Sequence, residues 1–156
     1  MVFLENIFQL ILMLHFLVTF LLVGSMSHHL MCLVGFLRGR FTLLKREKLV
    51  LSVSFWSYLV IYIFGCLIYP AFRIYMRHEY FDKALPWATG LFEVKEHWAS
   101  HGLAILAVCY ILRKNFDPAE DKQKLWLYIP LCVIANIILW YMITTGAYLT
   151  HLKGAF

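Results

Sequence analysis

Residues 3–37 read FLENIFQLILMLHFLVTFLLVGSMSHHLMCLVGFL, a run that holds one acidic and no basic residue. A helix needs about 20 predominantly apolar residues to cross a hydrocarbon core of about 30 Å, and this run exceeds that requirement. Three further apolar runs follow at 50–72, 91–112 and 125–149. In lipid, every backbone N–H and C=O must be satisfied within the segment or by a closed barrel. A barrel would show segments of about ten residues with alternating polarity, and none is present. The expected fold is therefore all-α: an integral membrane four-helix bundle, formed by residues 1–156 as a single domain.

Composition excludes the soluble alternative. The chain has 156 residues, 62% of them hydrophobic and only 15% charged, whereas soluble domains carry roughly a quarter of their residues as charges. The first run lacks a basic leading region and a small-residue cleavage site, so it is read as a retained helix that doubles as an uncleaved targeting signal.

The formal charge of +5 comes from 14 basic and 9 acidic residues. Arg38, Arg40, Lys45, Arg46 and Lys48 fill the first connection, and Arg113, Lys114, Lys122 and Lys124 fill the third. Positive residues concentrate on the cytoplasmic side of membrane helices. Both termini are accordingly expected on the outer, periplasmic side, with a bacterial inner membrane as the location. That topological role accounts for the charge without nucleic acid as a partner; the partners expected are lipid, other subunits of a membrane complex and quinone.

The four cysteines, Cys32, Cys66, Cys109 and Cys132, fall one per helix, without the CxxCH that attaches c-type haem. No phosphate loop, dinucleotide fingerprint, nucleophile elbow or HExxH occurs. The second helix ends at YPAFR, where Pro70 should kink or stop it. Pro86 and Gly90 punctuate the start of the third helix, and Asp117-Pro118 marks a turn before the fourth.

Chemistry concentrates in residues 93–102, EVKEHWASHG. Counting at 1.5 Å per residue from Leu91, His97 lies roughly 9 Å and His101 roughly 15 Å inside the membrane. His15, on a helix running the same way, reaches a similar outer depth, and His151 arrives there from the fourth helix. Arg73 and Arg77 lie above them. His28 and His29 are left isolated near the inner surface, although His15 and His29 share a face to within about 40°. Ionisable residues inside spans are costly and default to functional candidates.

A b-type haem needs two facing imidazoles from different helices, with basic groups for its propionates. His15 with His97 or His101 would supply the ligands, His151 an alternative, and Arg73 or Arg77 the propionate contacts. This pattern of span number and histidine placement resembles the four-helix transmembrane cytochrome b subunits that anchor respiratory oxidoreductases. The resemblance implies haem b, electron exchange with quinone or a partner subunit, and a function within a complex rather than as an enzyme alone. The chain departs from the di-haem pattern: residues 14 positions after His97 and 14 before His151 are Ile111 and Ile137, so one outer haem is expected. Glu93, Glu96, Tyr80 and Trp98 are the residues able to form a quinone pocket. Three other readings compete: a cofactor-free accessory subunit, a site for iron, copper or zinc built from Glu93, Glu96, His97 and His101, and a magnesium tetrapyrrole held by single histidines.

Overall fold

The structure, a computed structural model, describes residues 5–153, so Phe3 and Leu4 of the first expected span lie outside the described residues. Four long helices make up almost all of it: α1 (Phe8–Leu37), α2 (Leu44–Phe72), α3 (Pro86–Lys114) and α4 (Lys122–Lys153). A single 3₁₀ turn, Glu5–Ile7, precedes α1. The all-helical fold follows from the continuous apolar runs; α2, α3 and α4 extend beyond theirs into flanking polar residues, whereas α1 begins inside its run, at Phe8, and ends with it at Leu37.

Local chemistry sets the ends. At the close of α1, Gly39 takes φ +70°; its N–H donates to the Phe36 carbonyl at 2.9 Å and that of Arg40 to the Gly35 carbonyl at 2.9 Å. These are the two bonds of a Schellman turn, in which the left-handed position favours glycine. Pro86 occupies the first turn of α3, where its missing N–H costs nothing. Asp117 accepts from the Ala119 N–H at 2.8 Å through its side chain, forming the expected turn at Asp117-Pro118. Asp121 then accepts from the Lys124 N–H at the head of α4 and pairs with the Lys124 ammonium at 2.6 Å. That hydrogen bond to Lys124 holds the Asp121 carboxyl below the usual carboxylate range.

Of the two outcomes expected at Pro70, a kink or a stop, the stop does not occur: helical backbone continues through Phe72 into wider π-helical turns at Arg73–Phe81 and a final turn at Asp82–Ala84. Proline removes one donor and crowds the preceding turn, and the looser turns just beyond it absorb that disturbance while keeping the chain helical.

α1 packs along α2 and α3 along α4; α2 against α3 joins the two pairs, and α1 meets α4 only lightly. The shared core includes Leu22 and Met26 of α1, Leu51 and Tyr58 of α2, Leu106 of α3, and Cys132 and Leu139 of α4. Its tightest point is Gly102, where an added Cβ would lie 2.8 Å from Ile138 Cγ2 and against the Tyr58 hydroxyl. The Tyr58 hydroxyl donates there to the Ala99 carbonyl at 3.1 Å.

Outside the core, α1 exposes Leu10, Met13, Phe16, Leu17 and Phe20, more than half of each. A contiguous apolar face of this extent is foreign to a water-facing monomer and natural in lipid. Three segments are long and apolar enough to cross a membrane: Phe8–Leu37, Leu44–Ala84 and Lys122–Leu152. The chain is thus an integral-membrane helical bundle. α3, expected as an equivalent span, matches them in length but not in apolarity, because its first half holds Glu93, Lys95, Glu96, His97 and His101.

Candidate functional site

Polar groups gather at both ends of the bundle. At the end bearing the two basic connections, one side chain from each helix meets in the interior: His29 of α1, Glu47 of α2, Arg113 of α3 and Tyr128 of α4. The first two and Tyr128 are wholly inaccessible, and Arg113 is 6% exposed. Arg113 Nε donates to Glu47 Oε2 at 2.6 Å, and Nη1 donates to the Phe116 carbonyl at 3.0 Å. The Tyr128 hydroxyl donates to Glu47 Oε1. His29 Nε2 lies 3.2 Å from that carboxylate oxygen and 3.0 Å from the Tyr128 oxygen. With the tyrosine proton committed to Glu47, an Nε2–H shared between the two oxygens satisfies both contacts. His29 Nδ1 is then the unprotonated nitrogen, consistent with its being buried without a hydrogen-bond partner.

This arrangement neutralises itself. One guanidinium meets one carboxylate, and neutral donors occupy the remaining carboxylate capacity. A buried pair so satisfied is strongly destabilised if one member is removed. On the same helices, one turn from His29 and two from Glu47, Ser54 donates to Ser25 at 2.8 Å. In sequence His29 stands isolated and Arg113 among the charges of the third connection; the fold places both in this network.

The other end is different. His15 is partly buried on α1, with Nδ1 buried and unpartnered, and its Cε1 approaches Gly65 of α2. The charged group acting on His15 from α3 is Lys95. Lys95 Nζ lies 3.2 Å from the position of a Cβ on Gly146 of α4 and 5.7 Å from the centre of the Phe92 ring. Among the described residues Lys95 has no ion pair. Glycine at 146 leaves room for the ammonium, whereas a Cβ at 65 would meet the His15 ring only at ordinary contact distance, 4.0 Å.

The fold does not bring His15 together with His97 or His101. At 100° per residue, these two lie about 200° and 240° around α3 from Lys95, and both are exposed. Each ring is oriented by its own helix: His97 Nδ1 donates to the Glu93 carbonyl at 2.7 Å, and His101 Nδ1 to the His97 carbonyl at 2.6 Å. Trp98, also exposed, lies beside His101, with ring centres 6.3 Å apart. His151 is exposed near the end of α4.

Of the remaining predicted residues the fold joins Arg77 to Glu93 and leaves the others apart. Arg77 is engaged by Glu93 at 2.5 Å and Asp82 at 3.8 Å, while Arg73 is exposed. Tyr80 packs against Phe81, in the apolar cluster of Phe81, Ala88 and Leu149. Glu96 is partly buried. Among the described residues, no three of the His, Cys, Asp and Glu side chains converge as metal ligands, and the four cysteines are free. His97 and His101 lie one turn apart on the outward face of α3.

Comparison with protein-family models, with curated proteins and with solved structures gives no match.

Proposed function

We propose that the chain is an accessory subunit of a larger membrane complex, docked through the outer half of α3. The observation that supports this is the exposed row of His97, Trp98 and His101 on a helix of membrane-spanning length. Counted from Leu91, these residues fall roughly 9–15 Å into the helix, at the depth of acyl chains. An imidazole facing hydrocarbon is costly and, in folded membrane proteins, faces protein or a water-filled cavity. A partner helix laid against this face would cover it. The distribution of basic residues favours both termini on the outer side, in a bacterial inner membrane.

A specific observation favours a second reading, in which that covered face holds a b-type haem. Donation from both Nδ1 atoms to backbone carbonyls fixes the rings and leaves each Nε2 as the nitrogen free to ligate, the hydrogen bonding that orients a metal-ligating histidine. His97 or His101 would hold the iron from this side, with the opposing ligand from the partner. Haem supplies one-electron chemistry when bound, connecting quinone to the partner. This chain's contribution is to orient the imidazole and, through Trp98, to shield it from lipid.

A photo-crosslinking residue at position 98, with position 63 on α2 as an equally exposed control, tests the docking in native membranes. A discrete adduct with a second protein from position 98 alone supports the reading. Equal labelling at both positions, or an adduct of two copies of this chain, contradicts it. The haem reading requires, in addition, a reduced b-type absorption band in the complex that is lost in His97→Ala or His101→Ala.

A further inference from the structure

Where α1 and α4 part company, at the end carrying the basic connections, they leave a groove of about 420 Å³. Phe36, Phe41, Leu125, Trp126 and Ile129 form its apolar walls, and Lys122 stands at its edge. Gly39 also lines it, held by the Schellman turn that ends α1, so that Arg38 and Arg40 flank the groove on the chain. Both arginines and Lys122 are exposed. None of the three has an ion-pair partner among the described residues. The nearest acid in sequence, Asp121, is occupied by the Lys124 ammonium at 2.6 Å.

We infer that this groove is a binding site for an anionic phospholipid, with an acyl chain between α1 and α4 and the phosphate among Arg38, Arg40 and Lys122. Three independent features converge. The lining is apolar and lies between the ends of two helices that each qualify as membrane spans, a position acyl chains can reach. The cations lie at the helix termini, at the level where headgroups begin. Their charge is uncompensated, which suits a phosphate and disfavours a zwitterionic headgroup. Basic pockets between membrane helices take anionic headgroups for this reason. Trp126, 84% exposed at the same level, suits the interfacial belt that anchors such a boundary. The inference is independent of the docking face on α3, which lies in the opposite half of the bundle.

The site also explains the thin contact between α1 and α4. Pro130, in the second turn of the groove wall, removes the N–H that would bond the Trp126 carbonyl. A lipid filling the seam supplies packing that the protein leaves out.

The test is native mass spectrometry of the full chain taken from nanodiscs containing equal phosphatidylglycerol and phosphatidylcholine. Retention of phosphatidylglycerol over phosphatidylcholine is expected. Each cation near an anionic surface contributes roughly fivefold, so Arg38→Gln/Arg40→Gln/Lys122→Gln should lower the preference by at least about tenfold. Ile129→Trp, which fills the groove, should reduce retention of both lipids. Lys45→Gln/Lys48→Gln, which removes two nearby charges outside the groove, should leave the preference intact. Equal retention of the two lipids by the wild type would overturn the inference. So would loss in the Lys45/Lys48 control as large as in the triple variant, because that result assigns selectivity to general surface charge.

Discussion

The two ends of the bundle hold similar side chains in opposite states. At one end, His29, Glu47, Arg113 and Tyr128 come one from each helix and satisfy one another out of reach of solvent. At the other, His15 and Lys95 enter the interior without an ion pair among the described residues, and His97 and His101 face outward. A burial cost met within the chain indicates structure; one left unmet indicates something the chain is built to face. The first end therefore reads as the lock of the fold, and the second carries the exposed face on which the proposed docking rests.

That contrast is most easily broken at Glu47. Glu47→Ala leaves the Arg113 guanidinium buried without its carboxylate, and should destabilise the detergent-solubilised protein by about 3–5 kcal/mol, read as a large fall in thermal midpoint. A loss under 1 kcal/mol would mean that the inner network is not a lock. Gly102→Ala comes next: the new methyl meets Ile138 and Tyr58, and overpacking of this kind costs about 1–3 kcal/mol. Tyr128→Phe removes one hydroxyl from the network and should cost about 1–2 kcal/mol by the same assay.

Lys95→Met sharpens the comparison from the other end. An ammonium with no ion pair gains little from burial, so an apolar side chain of similar volume should be neutral or stabilising. Strong destabilisation would show that Lys95 is as well partnered as Glu47, and the contrast would vanish. Smallest of all, His97→Ala and His101→Ala should each alter the stability of the isolated chain by less than about 0.5 kcal/mol, as expected of exposed positions.

Much of the fold was legible because lipid imposes a simple rule on length and apolarity, and the runs of α1, α2 and α4 state it plainly, whereas α3 matches them in length alone. The turn at Asp117-Pro118 and the proline at the head of α3 were legible for local reasons of the same kind. Pro70 was not, because whether a proline stops a helix depends on whether neighbouring turns can widen around it. The lock was hidden by a different effect. Glu47 stands among Lys45, Arg46 and Lys48, and Arg113 at a helix end, where each resembles a surface charge; only tertiary packing turns them inward. Their signal was a lone acid in an otherwise basic connection. Residue depth placed His97 and His101 level with His15, but depth says nothing about rotation around the axis. The 100° step counted from Lys95, rather than from the histidines, shows which face of α3 turns in.

The proposal that the N-terminal half of α3 is completed by another protein is tested most directly by the size of the particle extracted gently from native membranes. The wild-type chain, 18.4 kDa by sequence, should migrate in a larger hetero-oligomeric assembly on a native gel. Trp98→Arg, which places a charge in the docking face and leaves the inner lock untouched, should release it as a folded, chain-sized species. A wild-type chain that migrates alone, or a Trp98→Arg chain that stays in the assembly, would contradict the account.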